Sequence, residues 1–140
     1  MRLDNHADAM AEIALGLAAM CPGRIVTRAL QDMAAYSEDD LLAGVLTVVS
    51  DGGSDFANYL GREGDLGTVA VAVLGYVKVD EGTDAGAIEA AELALLGDVL
   101  RWVNQRAPGG QVDMAIPTAW RQSKQIEHPY GWIVVELQVR

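Results

Sequence analysis

The chain has 140 residues, a length that suits one domain able to bury roughly 70% of the surface its unfolded chain would expose. Hydrophobic residues make up 51% of it, which is too many for a disordered chain. The net charge is -10, and the only lysines are Lys78 and Lys124. Because gripping nucleic acid requires clustered Lys and Arg, this balance argues against sequence-specific DNA binding.

The first twenty residues have neither the pattern of a secretion signal nor that of a membrane anchor. Asp4, Asp8 and Glu12 interrupt their apolar part, and no run in the chain reaches the ~18 apolar residues needed to span a bilayer. The single cysteine, Cys21, rules out an internal disulfide. We therefore expect a soluble protein, made in the cytosol, that has no membrane partner.

The first third of the chain predicts two helices and two strands. Residues 3–20 have apolar side chains at helical spacing and end at Cys21-Pro22-Gly23, a sequence that stops a helix. Residues 24–30 are typical of a short edge strand. Ser37 is a predicted N-cap, followed by three acidic residues, and Gly44 opens a second strand that is rich in valine.

Residues 51–64 predict a long loop, because they contain four glycines among several Asx and Ser residues. They match neither a calcium loop nor a phosphate loop. Long loops in compact domains usually carry function, so we interpret this one as a contact loop rather than a merely solvated segment. Its candidate contact residues are Phe56, Tyr59, Arg62 and Glu63.

Residues 66–79 predict a central strand, with valines on one face and smaller side chains on the other. Asp84 is a predicted N-cap for a helix over residues 85–106, which Pro108 and the glycines after it stop. The apolar surface of this helix is wider than one sheet contact requires. We expect it to pack on the sheet and also on the first helix or a neighbouring subunit.

The last third predicts two more strands. Residues 111–123 form the weaker one, which Pro117 assigns to an edge or a bulge, and residues 131–140 alternate strongly. The turn between them contains Glu127, His128 and Tyr130, which we interpret as a second candidate contact. The predicted fold is a single α+β domain over residues 1–140. Its mixed or mainly antiparallel sheet packs against the N-terminal helix and the long helix.

The sequence contains no recognisable catalytic signature. No nucleophile elbow, dinucleotide fingerprint, HExxH or CxxC motif occurs, and nothing in the order of residues brings Cys21 to a histidine. A structural or interface role explains Glu127 and His128 better than acid–base chemistry does. We therefore expect no catalytic residues, no cofactor and no metal site, and a protein that is not an enzyme.

Several stretches, in this order, resemble the tail-terminator proteins of long-tailed bacteriophages, the minor tail protein U-like group. They are SEDDLLAGVLTVVSDGG, FANYLGREG, VLGYVKVDEGTDAGAIEAAELALLGDVLRWV and QSKQIEHPYGWIVVELQV. The resemblance covers most of the chain beyond Arg24, and it depends on the order and length of the elements.

The resemblance implies a structural virion protein that forms a hexameric ring at the head-proximal end of the tail. Such a ring caps the tail tube, stops its growth and offers a surface to the neck protein that joins the head. Genomic DNA would pass through its pore without specific binding, and assembly would take place in the host cytoplasm. The alternatives are another neck or tail-completion component, or a small cytosolic ligand-binding or regulatory α+β domain.

Overall fold

The computed structural model describes residues 6–54, 67–106 and 112–140. In chain order the elements are α1 (His6–Met20), β1 (Ile25–Thr27), a 3-10 turn (Met33–Ala35), α2 (Glu38–Ala43), β2 (Val45–Ser54), β3 (Thr68–Lys78), α3 (Ala85–Gln105), β4 (Ala115–Gln122) and β5 (Tyr130–Val139).

The described strands form one five-stranded sheet in the order β1-β2-β3-β5-β4. β1 runs parallel to β2, and the remaining neighbours are antiparallel. β3 is the central strand, as predicted, and pairs with β5 over ten consecutive residues. The predicted α+β class with a mixed sheet is confirmed, and β1 and β4 form the two outer edges.

One face of the sheet carries the core, and α1 and α3 cover it. The strands place alternate residues on this face, so the predicted period of two is confirmed for β3 and β5. The core is aliphatic and receives side chains from both helices and from the three inner strands: Met10, Ile13, Leu17, Leu46, Val48, Val71, Val73, Ile88, Leu95, Val99, Ile133, Val135 and Leu137.

Local capping explains where two of the helices begin. The Asp84 side chain accepts a hydrogen bond from the backbone N–H of Ala87 at 3.2 Å, and that of Ser37 accepts one from Asp40 at 3.2 Å. Each bond satisfies one N–H that has no partner inside the helix. Both predicted N-caps are confirmed. Gly44 ends α2 with a φ of 89°, a conformation that favours glycine.

The predicted loop was wrong for residues 51–54, which form the end of β2. The register between β2 and β3 shifts between Ser50 and Gly53, and pairing then continues to Ser54. Glycine permits this bulge, because Gly52 has a φ of 91° and a Cβ on Gly53 would lie 2.6 Å from the Thr68 carbonyl oxygen. The candidate contact residues Phe56, Tyr59, Arg62 and Glu63 lie outside the described residues.

Two other strands are shorter than predicted, and one begins earlier. The strand expected over residues 24–30 ends at Thr27, whose hydroxyl oxygen accepts a hydrogen bond from the backbone N–H of Ala29 at 3.1 Å and so turns the chain. The strand expected over residues 111–123 is confined to β4. Tyr130 was assigned to a turn and instead begins β5, where it pairs with Lys78.

Replacing Thr47 by valine is expected to stabilise the protein. Thr47 is fully buried, and its hydroxyl oxygen finds no hydrogen-bond partner among the described residues. Thr47→Val keeps the shape of the side chain and removes this unsatisfied group, so we expect the free energy of unfolding in urea to rise by about 1 kcal/mol. The neighbouring variant Val48→Thr buries a new hydroxyl and should lower it by about 1–3 kcal/mol. A Thr47→Val variant less stable than the parent would contradict this account.

Candidate functional site

A groove of about 450 Å³ lies between the segment that contains the 3-10 turn and α2 and the turn that precedes β5. Carboxylates, two tyrosines and apolar side chains line it: Asp32, Met33, Ala34, Tyr36, Glu38, Leu41, Glu127 and Tyr130. Of the predicted second contact turn, Glu127 and Tyr130 therefore lie at one surface. We call this feature the tyrosine groove.

A helix cap and a contact between two tyrosine rings fix the α2 side of the tyrosine groove. Asp32 caps the 3-10 turn by accepting a hydrogen bond from the backbone N–H of Ala34 at 3.1 Å. The ring of Tyr36 packs at a tilt on that of Tyr76, with 6.1 Å between their centroids. Burial raises the pKa of the Tyr76 phenol. These contacts seat the segment against β3.

Lys78 is buried at the end of β3, with an exposed fraction of 7%. Its ammonium group donates a hydrogen bond to Glu38 at 2.8 Å and lies 5.4 Å from the centre of the Tyr130 ring. The hydrogen bond to Glu38 raises the pKa of Lys78, and the same bond lowers the pKa of Glu38. A lysine held charged in this way is a poor nucleophile, because its lone pair is protonated.

His128, the third residue of the predicted contact turn, contacts the turn between β3 and α3. Its Nε2 lies 3.3 Å from the hydroxyl oxygen of Thr83. That hydroxyl donates to the carbonyl of Asp80 at 2.6 Å, so the imidazole is the donor to Thr83. His128 therefore connects two turns and does not line the tyrosine groove.

A second cavity of about 550 Å³ lies beside the end of β4 and the residues that follow it. Trp120, Arg121, Gln122, Ser123, Lys124, Ile126 and Trp132 line it. Trp120 is 52% exposed and Ile126 is 79% exposed. Arg121 and Lys124 have no ion-pair partner among the described residues. Sequence reasoning missed this surface, although Pro117 and the exposed apolar residues of an edge strand could have pointed to it.

Glu92 connects α3 to the strands beneath this cavity. Its position in the first turns of α3 suits the helix dipole, but its side chain is fully buried. Its carboxyl group accepts hydrogen bonds from the hydroxyl of Ser123, the side-chain amide of Gln122 at 3.3 Å and the backbone N–H of Trp132 at 2.9 Å. A Cβ on Gly131 would lie 2.6 Å from this carboxyl group, so glycine is required there.

Residues 6–54, 67–106 and 112–140 contain no group of three or more His, Cys, Asp or Glu side chains that could hold a metal ion. Within the same ranges, no helix combines the length and hydrophobicity needed to cross a membrane. In comparisons with protein-family models and with curated proteins, no match to this sequence was found. The site must therefore be interpreted from its own geometry.

The ion pair between Glu38 and Lys78 predicts a pH dependence of stability. Because the pKa of Glu38 is lowered from 4.5, its contribution is present at neutral pH and is lost as the pH falls through its folded-state pKa. Glu38→Gln should be less stable than the parent near neutral pH, and this difference should shrink as the pH falls below 4.5. Urea midpoints measured across this range test it. The control Asp51→Asn, an exposed position on β2, should show a smaller pH-dependent difference. A Glu38→Gln difference that is constant with pH would count against the pair.

Removal of the Glu92 carboxyl group is expected to be costly. Glu92→Ala leaves three donors without an acceptor and opens a cavity, so we expect a loss of at least about 3 kcal/mol in the free energy of unfolding. Glu89 is the matched control, because it lies one turn earlier on α3 and makes an exposed hydrogen bond to Gln125. Glu89→Ala should cost less than about 1 kcal/mol. Equal losses for the two variants would show that Glu92 has no special role.

Proposed function

We propose that this chain is a structural subunit of a phage tail, a tail terminator that assembles into a hexameric ring. The observation that carries the proposal is that large apolar side chains remain exposed near both edges of the sheet. Those near β1 are Ile25, Leu30 and Leu42, and those near β4 are Met114, Ile116, Trp120 and Ile126. Leu15 on α1 and Leu93 on α3 are exposed as well. Exposed apolar side chains that cluster mark contact surfaces.

The positions of these side chains suit a ring better than a twofold dimer. In a cyclic ring each subunit uses two different surfaces, whereas a twofold dimer uses one surface twice. β1 and β4 are separated by three strands, which corresponds to about 19 Å at the usual strand spacing. Two separate apolar edges are therefore available for two different neighbours.

The resemblance to tail terminators supports the same proposal. The stretches that carry it coincide with β2, with the unit of β3 and α3, and with the turn and strand that end the chain. These elements build the core and position both edges. The likeness therefore lies on the scaffold that a ring subunit would need.

The charge of the chain suits a pore through which DNA moves. Each of the six copies carries a net charge of -10, so acidic groups that line the pore would repel phosphate. DNA would then pass without the counterion release that holds it on a binding protein. We propose that the tail tube protein and the neck protein contact the ends of the ring, through the segment around Arg62 that the sequence predicts to be a loop and through the turn that contains Glu127.

A second candidate function is a small ligand-binding or regulatory domain, which the tyrosine groove favours. Ligand sites combine apolar walls with a few polar groups, and this groove has Met33 and Leu41 beside Tyr36 and Glu127. This alternative predicts saturable binding of a small molecule by a monomer or a dimer. It gives no account of the apolar side chains exposed at the β4 edge.

Deletion of the gene from the phage genome that carries it tests the proposed function. We expect tails of uncontrolled length that fail to join heads, because nothing would stop growth of the tube. Expression of the wild-type chain from a plasmid should restore normal tails, and the destabilised variant Glu92→Ala should not. Electron microscopy measures both lengths and head attachment. Tails of normal length in the deletion strain would contradict the proposal.

A further inference from the structure

We propose that the two edges of the sheet bind each other between neighbouring copies, with a basic edge of one copy against an acidic edge of the next. The basic edge consists of Trp120, Arg121, Lys124 and Ile126. The acidic edge consists of Leu30, which follows β1, and of Asp39, Asp40 and Leu42 on α2. The end of α2 lies beside β1, because the carbonyl of Gly44 accepts a hydrogen bond from the backbone N–H of Ile25 at 2.9 Å. The inference rests on the proposed ring, and it names the two surfaces that would form each subunit contact.

The two cations of the basic edge have no ion-pair partner in the described part of the chain, which is also true of Arg28 and Arg140. Elsewhere Arg24 binds Asp98 at 2.8 Å, and Lys78 binds Glu38 at the same distance. Arg106 donates to the backbone carbonyl of Val112 at 2.6 Å. Arg121 and Lys124 have no such partner among the described residues, although the chain as a whole is acidic. The charge of these two side chains therefore remains available to another molecule.

The acidic edge has the complementary charge and the same kind of apolar exposure. Asp39 is exposed and Asp40 is half-buried, and neither has an ion-pair partner in the described part of the chain. Leu30 is 53% exposed and Leu42 is 52% exposed. Arg24 and Arg28 are basic residues on this side, and Arg24 is paired with Asp98, so the two aspartates outnumber the unpaired Arg28. The aspartates of the acidic edge would therefore attract the cations of the basic edge on a neighbouring copy.

The basic edge also has a cavity that suits an apolar side chain of the acidic edge. The cavity of about 550 Å³ beside β4 has Trp120, Ile126 and Trp132 among its lining residues. Its apolar walls suit an exposed leucine such as Leu42 from a neighbouring copy. A leucine side chain buried in this way gains about 1.5–3 kcal/mol relative to exposure to water. Apolar burial would supply the affinity, and the charges would select the orientation.

The contact is expected to use side chains rather than to extend the sheet between copies. β4 contains Pro117, and its register with β5 shifts between Pro117 and Ala119. A proline and a bulge on an edge strand both hinder pairing with another strand. β1 has only three residues, which is a short template for pairing. A contact between two unlike edges is heterologous, and heterologous contacts form a ring when the rotation between neighbours closes.

A charge-swap experiment tests the inference. The first variant carries Arg121→Glu and Lys124→Glu, so both edges are acidic. The second carries Asp39→Lys and Asp40→Lys, so both edges are basic. Each variant alone should associate about a hundredfold or more weakly than the wild type, because like charges face each other. An equimolar mixture should regain the wild-type mass, because every contact in an alternating ring then joins opposite charges. Light scattering coupled to size-exclusion chromatography measures the mass across a concentration series.

Two controls keep the outcomes separate. Asp51→Lys changes a charge on β2 that belongs to neither set of residues and should leave the mass of the assembly unchanged. Recovery on mixing requires folded chains, so it also shows that the variants are not misfolded. If the second variant melts below the assay temperature, the single variant Asp39→Lys replaces it in the mixture. If each variant alone forms oligomers of the wild-type mass as readily as the wild type does, the assignment of these two edges is wrong, whereas the proposed ring is unaffected. A wild-type chain that stays monomeric would overturn the inference and the ring together.

Discussion

The arrangement of this domain depends most on the hydrogen bonds that the buried carboxyl group of Glu92 accepts. This group lies on the long helix and accepts hydrogen bonds from three groups near the β4–β5 turn. A buried acid without its donors would carry a large desolvation cost, so helix and strands must keep this relation. Gly131 makes the contact possible, because any side chain there would collide with Ile88 and with Glu92 itself.

The ion pair between Lys78 and Glu38 has a similar role on the opposite face of the sheet. It fixes α2 to the end of β3, while Arg24 connects the residues before β1 to Asp98 on α3. Polar contacts thus position the segments that flank both outer strands. The two edges are held at a defined separation, and this is what a subunit with two neighbours requires. The exposed apolar side chains lie on elements that these contacts hold.

Local patterns in the sequence were sufficient to predict the elements that depend on local physics. The alternation of β3 follows from the pleat, and the caps at Ser37 and Asp84 follow from unsatisfied N–H groups at helix starts. The end of β2 was missed because a bulge at Gly52 let glycines continue a strand that their composition assigned to a loop. The acceptor role of Glu92 was missed because its partners lie at least 30 residues further along the chain.

In the candidate site, too, only the features that depend on neighbouring residues in the sequence could be predicted. Glu127 and Tyr130 were predicted as contact residues from the polar tips in their turn, and both line the tyrosine groove. The other wall of that groove comes from residues 32–41, nearly a hundred positions earlier, so no local pattern could predict it. The basic edge was missed because Arg121 and Lys124 look ordinary in sequence. Only the strand order shows that β4, which carries Arg121, is the outer strand on the far side of the sheet from β1.

The central claim is that this chain is a ring subunit whose surfaces serve assembly. Negative-stain electron microscopy of the purified wild-type protein, at the concentration where its mass is highest, tests it most directly. The account predicts rings of six subunits with a central hole wide enough for duplex DNA. Fields of monomers, or compact twofold dimers without a hole, would contradict it.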